Sequence, residues 1–200
     1  MRRIIVTLSA LAIAASCITP SHAQNATPPI TTPITTTVTV TATLTPAHKQ
    51  QKQMGGIYMT GAIVKATQVM LEETATARTK NGNSMRIVAG VLAIAGVVSE
   101  TKSILAQPAA LPEFSKHWAD LKAHNNALID LTRRWAIDKT IVAKDVLAEL
   151  PAISKRIDAT NAAIHALIVK RAGRGTAADL QRDYDAQIAT FRTQIQALLK

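Results

Sequence analysis

Residues 86–100 read RIVAGVLAIAGVVSE, and the housing of the uncharged run 87–98, in a bilayer or inside a soluble fold, decides the class of the whole chain. Twelve helical residues rise about 18 Å against a hydrocarbon thickness of about 30 Å, so the run alone is too short to span. Extending it to Leu105 takes in Glu100 and Lys102, each costing on the order of 3 kcal/mol near the centre of an inserted helix. The distribution of side-chain sizes points the same way. Ile87, Val91, Ile94 and Val98 make a bulky face, while Ala89, Ala93 and Gly96 make a small one. A helix apolar on both faces belongs in the middle of a bundle, where its small side admits a close neighbour. The expectation is that Ile87, Val91, Ile94 and Val98 are buried together in a soluble core. Insertion of 87–98 into a bilayer is the alternative.

The flanking sequence supplies the other helices of an all-α bundle. A first helix is expected over about 57–78, after Gly55 and Gly56, with Met59, Ile63, Ala66 and Met70 on one face. Asn81, Gly82 and Asn83 tolerate positive φ and make the turn into the second helix, 84–106. Between Pro112 and Pro151 there is no Gly or Pro, and Phe114, Trp118, Leu121, Asn125, Leu128, Thr132 and Trp135 recur at four-three spacing. That is a heptad seam, expected on one long, coiled-coil-like helix with Asn125 and Thr132 fixing register. Pro151 should start or kink the next helix, with Ile153, Ile157, Ile164, Leu167 and Ile168 as its apolar stripe. Gly173, Arg174 and Gly175 are read as a turn into a last helix, where Thr176 and Asp179 have capping-box spacing and Leu180, Tyr184, Ile188, Phe191, Ile195 and Leu198 form the stripe. So short a turn makes the last two helices an antiparallel hairpin.

Ahead of the bundle, the sequence reads as an address and a tether. Arg2 and Arg3, an apolar core from Ile4 to about Ala15 and a polar stretch ending in small residues have the three parts of a secretory signal, with cleavage after Ala23. The competing reading is a lipoprotein box at Ala14, Ala15, Ser16 and Cys17, in which Cys17 carries the lipid; Ala14 departs from the leucine usual there. Residues 24–47, QNATPPITTPITTTVTVTATLTPA, hold ten threonines, four prolines and no charge, a composition for an extended linker rather than a core. Its alternating TVTVTATLT could pair as a strand only with a partner sheet edge. The domain organisation read from the sequence is thus signal peptide 1–23, Thr/Pro-rich linker 24–47 and helical bundle 48–200.

Charge and motif content bound the function. The chain carries 23 Lys and Arg against 13 Asp and Glu, a formal +10, and loss of Arg2 and Arg3 leaves +8. In an exported protein this favours anionic surfaces or acidic partners. Nucleic acid is not expected, because the basic residues are scattered and aromatic residues are few, two each of Trp, Tyr and Phe. Cys17 is the only cysteine, so the bundle contains neither disulfides nor Cys-based metal sites. His117 and His124 lie two turns apart, about 10 Å along a helix, too far to chelate one ion; His165 on a facing helix would be needed to complete a metal or haem site. Ser99 and Lys102 match S-x-x-K without the supporting motifs of a serine acyltransferase. Asp179, Asp183 and Asp185 fall near the start of the last helix, where carboxylates are expected for stability alone. No catalytic, cofactor or metal site is therefore predicted. The expected function is that of a non-enzymatic protein, periplasmic or secreted, or an outer-membrane lipoprotein if Cys17 is acylated. It would work through a protein partner in the envelope, through self-association of helix faces, or at an anionic membrane surface.

Overall fold

A computed structural model describes residues 46–80 and 82–200, and among them every regular element is helical. The elements are α1 (Pro46–Thr79), α2 (Ser84–Leu105), a 3₁₀ turn (Pro112–Phe114), α3 (Ser115–Arg133), a π-turn (Arg134–Asp138) and α4 (Ala143–Leu199). They belong to one compact unit, Leu44–Lys200. The signal sequence, Cys17, all but the end of the Thr/Pro-rich linker, and Asn81 lie outside the described residues.

The centre of the bundle is α1, not the apolar helix of the opening segment. From 57 to 71 every residue of α1 is buried except Met59 and Lys65, which are half-buried. Its polar residues fit there because they need little from outside. The hydroxyls of Thr60, Thr67 and Thr74 donate to the carbonyls of Gly56, Ile63 and Met70, one turn back, at 2.8–2.9 Å. Ala62, Val64 and Ala66 are fully enclosed, and their small size lets three neighbours approach one helix closely. The helix also starts at Pro46 rather than near 57, so its first turns take up the end of the segment read as linker. Gly55 and Gly56 lie inside it. At Gly55 a β-carbon would already be 3.3 Å from Leu180.

The expected hairpin of the last two helices is present within α4. Gly173, at φ +83° and ψ 167°, breaks the helix into arms 143–172 and 174–199. The arms meet where Asn161 Nδ2 donates to the Tyr184 hydroxyl at 2.8 Å. α1 runs against both. It is antiparallel to the first arm, with Lys65 Nζ 2.7 Å from Asp158 and 2.8 Å from Ser154 Oγ. It is parallel to the second arm, with Tyr58 donating to Gln181 Oε1 near one end and Glu73 pairing with Arg192 at 3.3 Å near the other. One amide joins all three: Asn161 Nδ2 also donates to the Gly61 carbonyl at 3.3 Å. Tyr58 stacks on Tyr184 beside it, ring centres 4.9 Å apart.

The single long helix expected between the two prolines is divided. The heptad seam does face inward: Phe114, Leu121, Asn125, Leu128 and Thr132 are buried, with Trp118 and Trp135 half-buried. Asn125 donates to the Val98 carbonyl of α2 at 3.2 Å. The helix widens into the π-turn at Arg134, and Lys139 takes left-handed backbone at φ 53°. Three consecutive β-branched residues follow, Thr140, Ile141 and Val142, whose stiff side chains disfavour helix. α4 then restarts, with the Asp145 carboxylate accepting the Val142 N–H at 3.0 Å. Pro151 therefore neither starts nor ends a helix. It is exposed inside α4, and buried Val146, Leu150, Ile153 and Ile157 continue one face across it, so packing on both sides offsets the missing hydrogen bond.

Candidate functional site

α2 is an outer helix. The Asn83 side chain accepts the Met85 N–H at 2.9 Å and caps its start. Ile87, Gly90, Ile94, Val97, Val98, Thr101 and Leu105 turn inward. Of the four residues expected to be buried together, Ile87, Ile94 and Val98 are buried and Val91 is half-buried. The closely approached glycine is Gly90, where a β-carbon would stand 3.1 Å from Thr74 and 3.4 Å from Ile195; Gly96 is exposed with nothing within 4 Å. Both arms of α4 already flank α1, so α2 is left with one covered side. Met85, Val88 and Leu92 on its other side are 77%, 53% and 66% exposed. By length and composition α2 is also, among the described residues, the one helix that could cross a membrane, and about a third of that window is buried in the bundle.

The exposed side of α2 forms one wall of a groove. The opposite wall is the π-turn, which bulges outward and presents Trp135, Ala136 and Ile137, the last 73% exposed. The turn is clamped from behind by Arg134, whose guanidinium donates to both carboxylate oxygens of Glu149, at 3.1 and 2.6 Å, and to Asp130 at 3.0 Å. A bidentate pair of this kind fixes orientation. The groove encloses about 620 Å³. Its floor is Ile87, Val98, Ile129 and Thr132, and the Thr132 hydroxyl donates to the Leu128 carbonyl at 2.7 Å. Arg78, Lys102, Arg133 and Lys139 stand around it, and no acidic residue lines it. Arg133 is only loosely held, 3.7 Å from Asp130 and 3.8 Å from Asp138, and Arg78 donates to Ser84 Oγ at 3.2 Å. Three of the six large apolar side chains most exposed among the described residues, Val88, Leu92 and Ile137, line this groove, so they form a cluster and are not isolated surface residues.

The remaining residues singled out from the sequence are dispersed. His117 is 3.8 Å from Asp120, His124 is 2.9 Å from the Thr160 hydroxyl, and His165 faces the Tyr58 ring with centres 5.8 Å apart. Among the described residues no group of three His, Cys, Asp or Glu is placed to hold a metal. Burial holds His124 below the ordinary histidine range, with the nearby Arg156 charge acting in the same direction. Burial also pushes Tyr58 up to about 12, with Asp185 adding to it, and raises Tyr184 further. Asp179 pairs with Arg182, and Asp185 accepts from Gln181 at 2.9 Å. Ser99 and Lys102 both line the groove, as part of the α2 wall. Sequence reasoning missed Trp135, Ala136, Ile137 and Lys139 as surface determinants. The signal available was the β-branched run 140–142, which marks a break just after them. Comparison with protein-family models, with curated proteins and with solved structures gives no match.

Proposed function

We propose that this chain is a non-enzymatic, exported binding protein of the bacterial cell envelope, and that the groove between α2 and the π-turn is its interaction surface. The observation that carries the reading is the concentration of exposed Val88, Leu92 and Ile137 on a concave face with a basic rim. Leaving such side chains in water forgoes roughly 1.5–3 kcal/mol each compared with covering them, and a bound partner recovers that. Export is supported by the secretory pattern of residues 1–23, and the lack of cysteine in 24–200 costs nothing in an oxidising compartment. The test is capture from envelope extracts by the immobilised mature protein and by a Leu92→Glu variant. A component retained by the first and lost by the second supports the reading. Identical capture by both overturns it.

Bilayer insertion of 87–98 is favoured by a specific observation, the outward apolar face of a 22-residue helix. It requires separating Ile94 and Val98 from the core. Dye leakage from phosphatidylglycerol vesicles at pH 5–8 is its test, and intact vesicles throughout would remove it.

A further inference from the structure

We propose that the groove binds one molecule of a free single-chain anionic amphiphile, its acyl chain along the floor and its carboxylate or phosphate head at the rim. This rests on the reading of the groove as the interaction surface and names what occupies it. The volume, about 620 Å³, falls within the roughly 300–1,000 Å³ of small-molecule sites. The floor suits an alkyl chain because its one hydroxyl, on Thr132, is already bonded to the Leu128 carbonyl, so covering it strands no donor.

Charge selects the head group. Arg78, Lys102, Arg133 and Lys139 line the groove without an acidic residue among the lining. Among the described residues Lys102 and Lys139 make no ion pair, and Arg133 makes only long, exposed ones. Guanidinium forks match the paired oxygens of a carboxylate or phosphate. Shape separates a free amphiphile from larger occupants. A bilayer would touch the protruding Val88, Leu92 and Ile137 and leave the buried floor of Ile87 and Val98 uncovered.

Trp135 lines the groove, while the only other tryptophan, Trp118, donates to the Gln107 carbonyl at 2.7 Å and lies outside the lining. Trp118→Phe therefore leaves a single reporter in the site. The intact mature protein with this change is titrated with sodium palmitate and with lysophosphatidic acid below their micelle concentrations. Hexadecanol serves as the neutral control and phosphatidylglycerol vesicles as the bilayer control. The expected result is saturable one-to-one binding of at least one anionic amphiphile, with the two acids telling carboxylate from phosphate. Affinity should be about tenfold weaker for hexadecanol and for Lys102→Gln with Arg133→Gln, as loss of charge-assisted hydrogen bonds implies, and should fall as salt is raised. Leu92→Glu should abolish binding without unfolding the protein, checked by circular dichroism, because Leu92 is 66% exposed. No saturable change with either acid, equal affinity for hexadecanol, indifference to Leu92→Glu, or a response to vesicles alone would overturn the proposal. If both acids fail while Leu92-dependent capture from envelope extracts persists, the occupant is wrong and the interaction surface stands. If the acids fail and the Leu92-dependent capture is also absent, the surface itself is refuted.

Discussion

Replacing Gly61 by alanine and Gly96 by alanine is the same chemical change in two helix interiors, one position buried and the other exposed, and the structure assigns the two opposite signs. At Gly61 the new methyl would fall 2.2 Å from Asn161 Oδ1 and 3.2 Å from its Cγ. The amide would have to turn away, giving up its donations to the Gly61 carbonyl and the Tyr184 hydroxyl. Two net hydrogen bonds at about 1 kcal/mol each, with a buried amide then unpartnered at about 1–3 kcal/mol, outweigh the roughly 1 kcal/mol that alanine gains over glycine in a helix. Gly61→Ala is expected to lose about 2–4 kcal/mol, a fall in Tm on the order of 10 °C at about 2–4 °C per kcal/mol for a chain of this size. At Gly96 no atom lies within 4 Å, so only the helix term remains and Gly96→Ala should gain up to about 1 kcal/mol. Thermal and urea unfolding of the two variants beside the wild type measure both. A Gly61→Ala protein as stable as the wild type would refute the three-helix junction, and a destabilised Gly96→Ala would restore the reading of α2 as an enclosed helix.

Tyr58 favours its protonated form in the folded state, so stability is fully present below about pH 10 and is lost as pH rises through about 12. Tyr58→Phe should make that alkaline limb shallower in urea midpoints taken at successive pH values, and an unchanged limb would contradict the burial of the ring. His124 has the reverse sign: its folded value is lowered, so its contribution is present above the ordinary value near 6.5 and is lost as pH falls through the lowered one. His124→Gln should flatten the acid limb below pH 6.5, read in the same way. Gly173 occupies backbone at φ +83° and ψ 167° that other residues avoid, so Gly173→Ala should cost on the order of 1–3 kcal/mol in unfolding experiments although a methyl there meets no neighbour.

The helical class, the Gly173 hairpin and the inward heptad seam were legible because each rests on periodicity or on a residue with restricted backbone chemistry. The identity of the central helix was not. Hydropathy favours α2, whose interior is Ile, Leu and Val. α1 is rich in threonine, and nothing in a residue type says that Thr60, Thr67 and Thr74 will satisfy their hydroxyls on their own helix and so behave in the core as small branched side chains. The same limit hid the groove. Val88 and Leu92 belong to the apolar run expected in the middle of the bundle, and their exposure follows from which neighbours reach α2, a property of the assembled bundle and not of 86–100. The break at 134–142 lay in an unpunctuated heptad pattern, and only the β-branched run 140–142 argued against continuing it.

The Asn161 junction also orders events in time. It joins residues a hundred positions apart, Gly61 and Asn161, so α1 is synthesised first while both surfaces that enclose it are made last. The arms of α4 close on each other through contacts only 23 residues apart, Asn161 to Tyr184, and can pair before α1 joins them. Until then residues 57–71 lack the cover that α4 supplies. Among the described helices, the one that ends up most deeply enclosed is thus the one that waits for the last-made part of its cover, with its apolar surface open to misassociation until then.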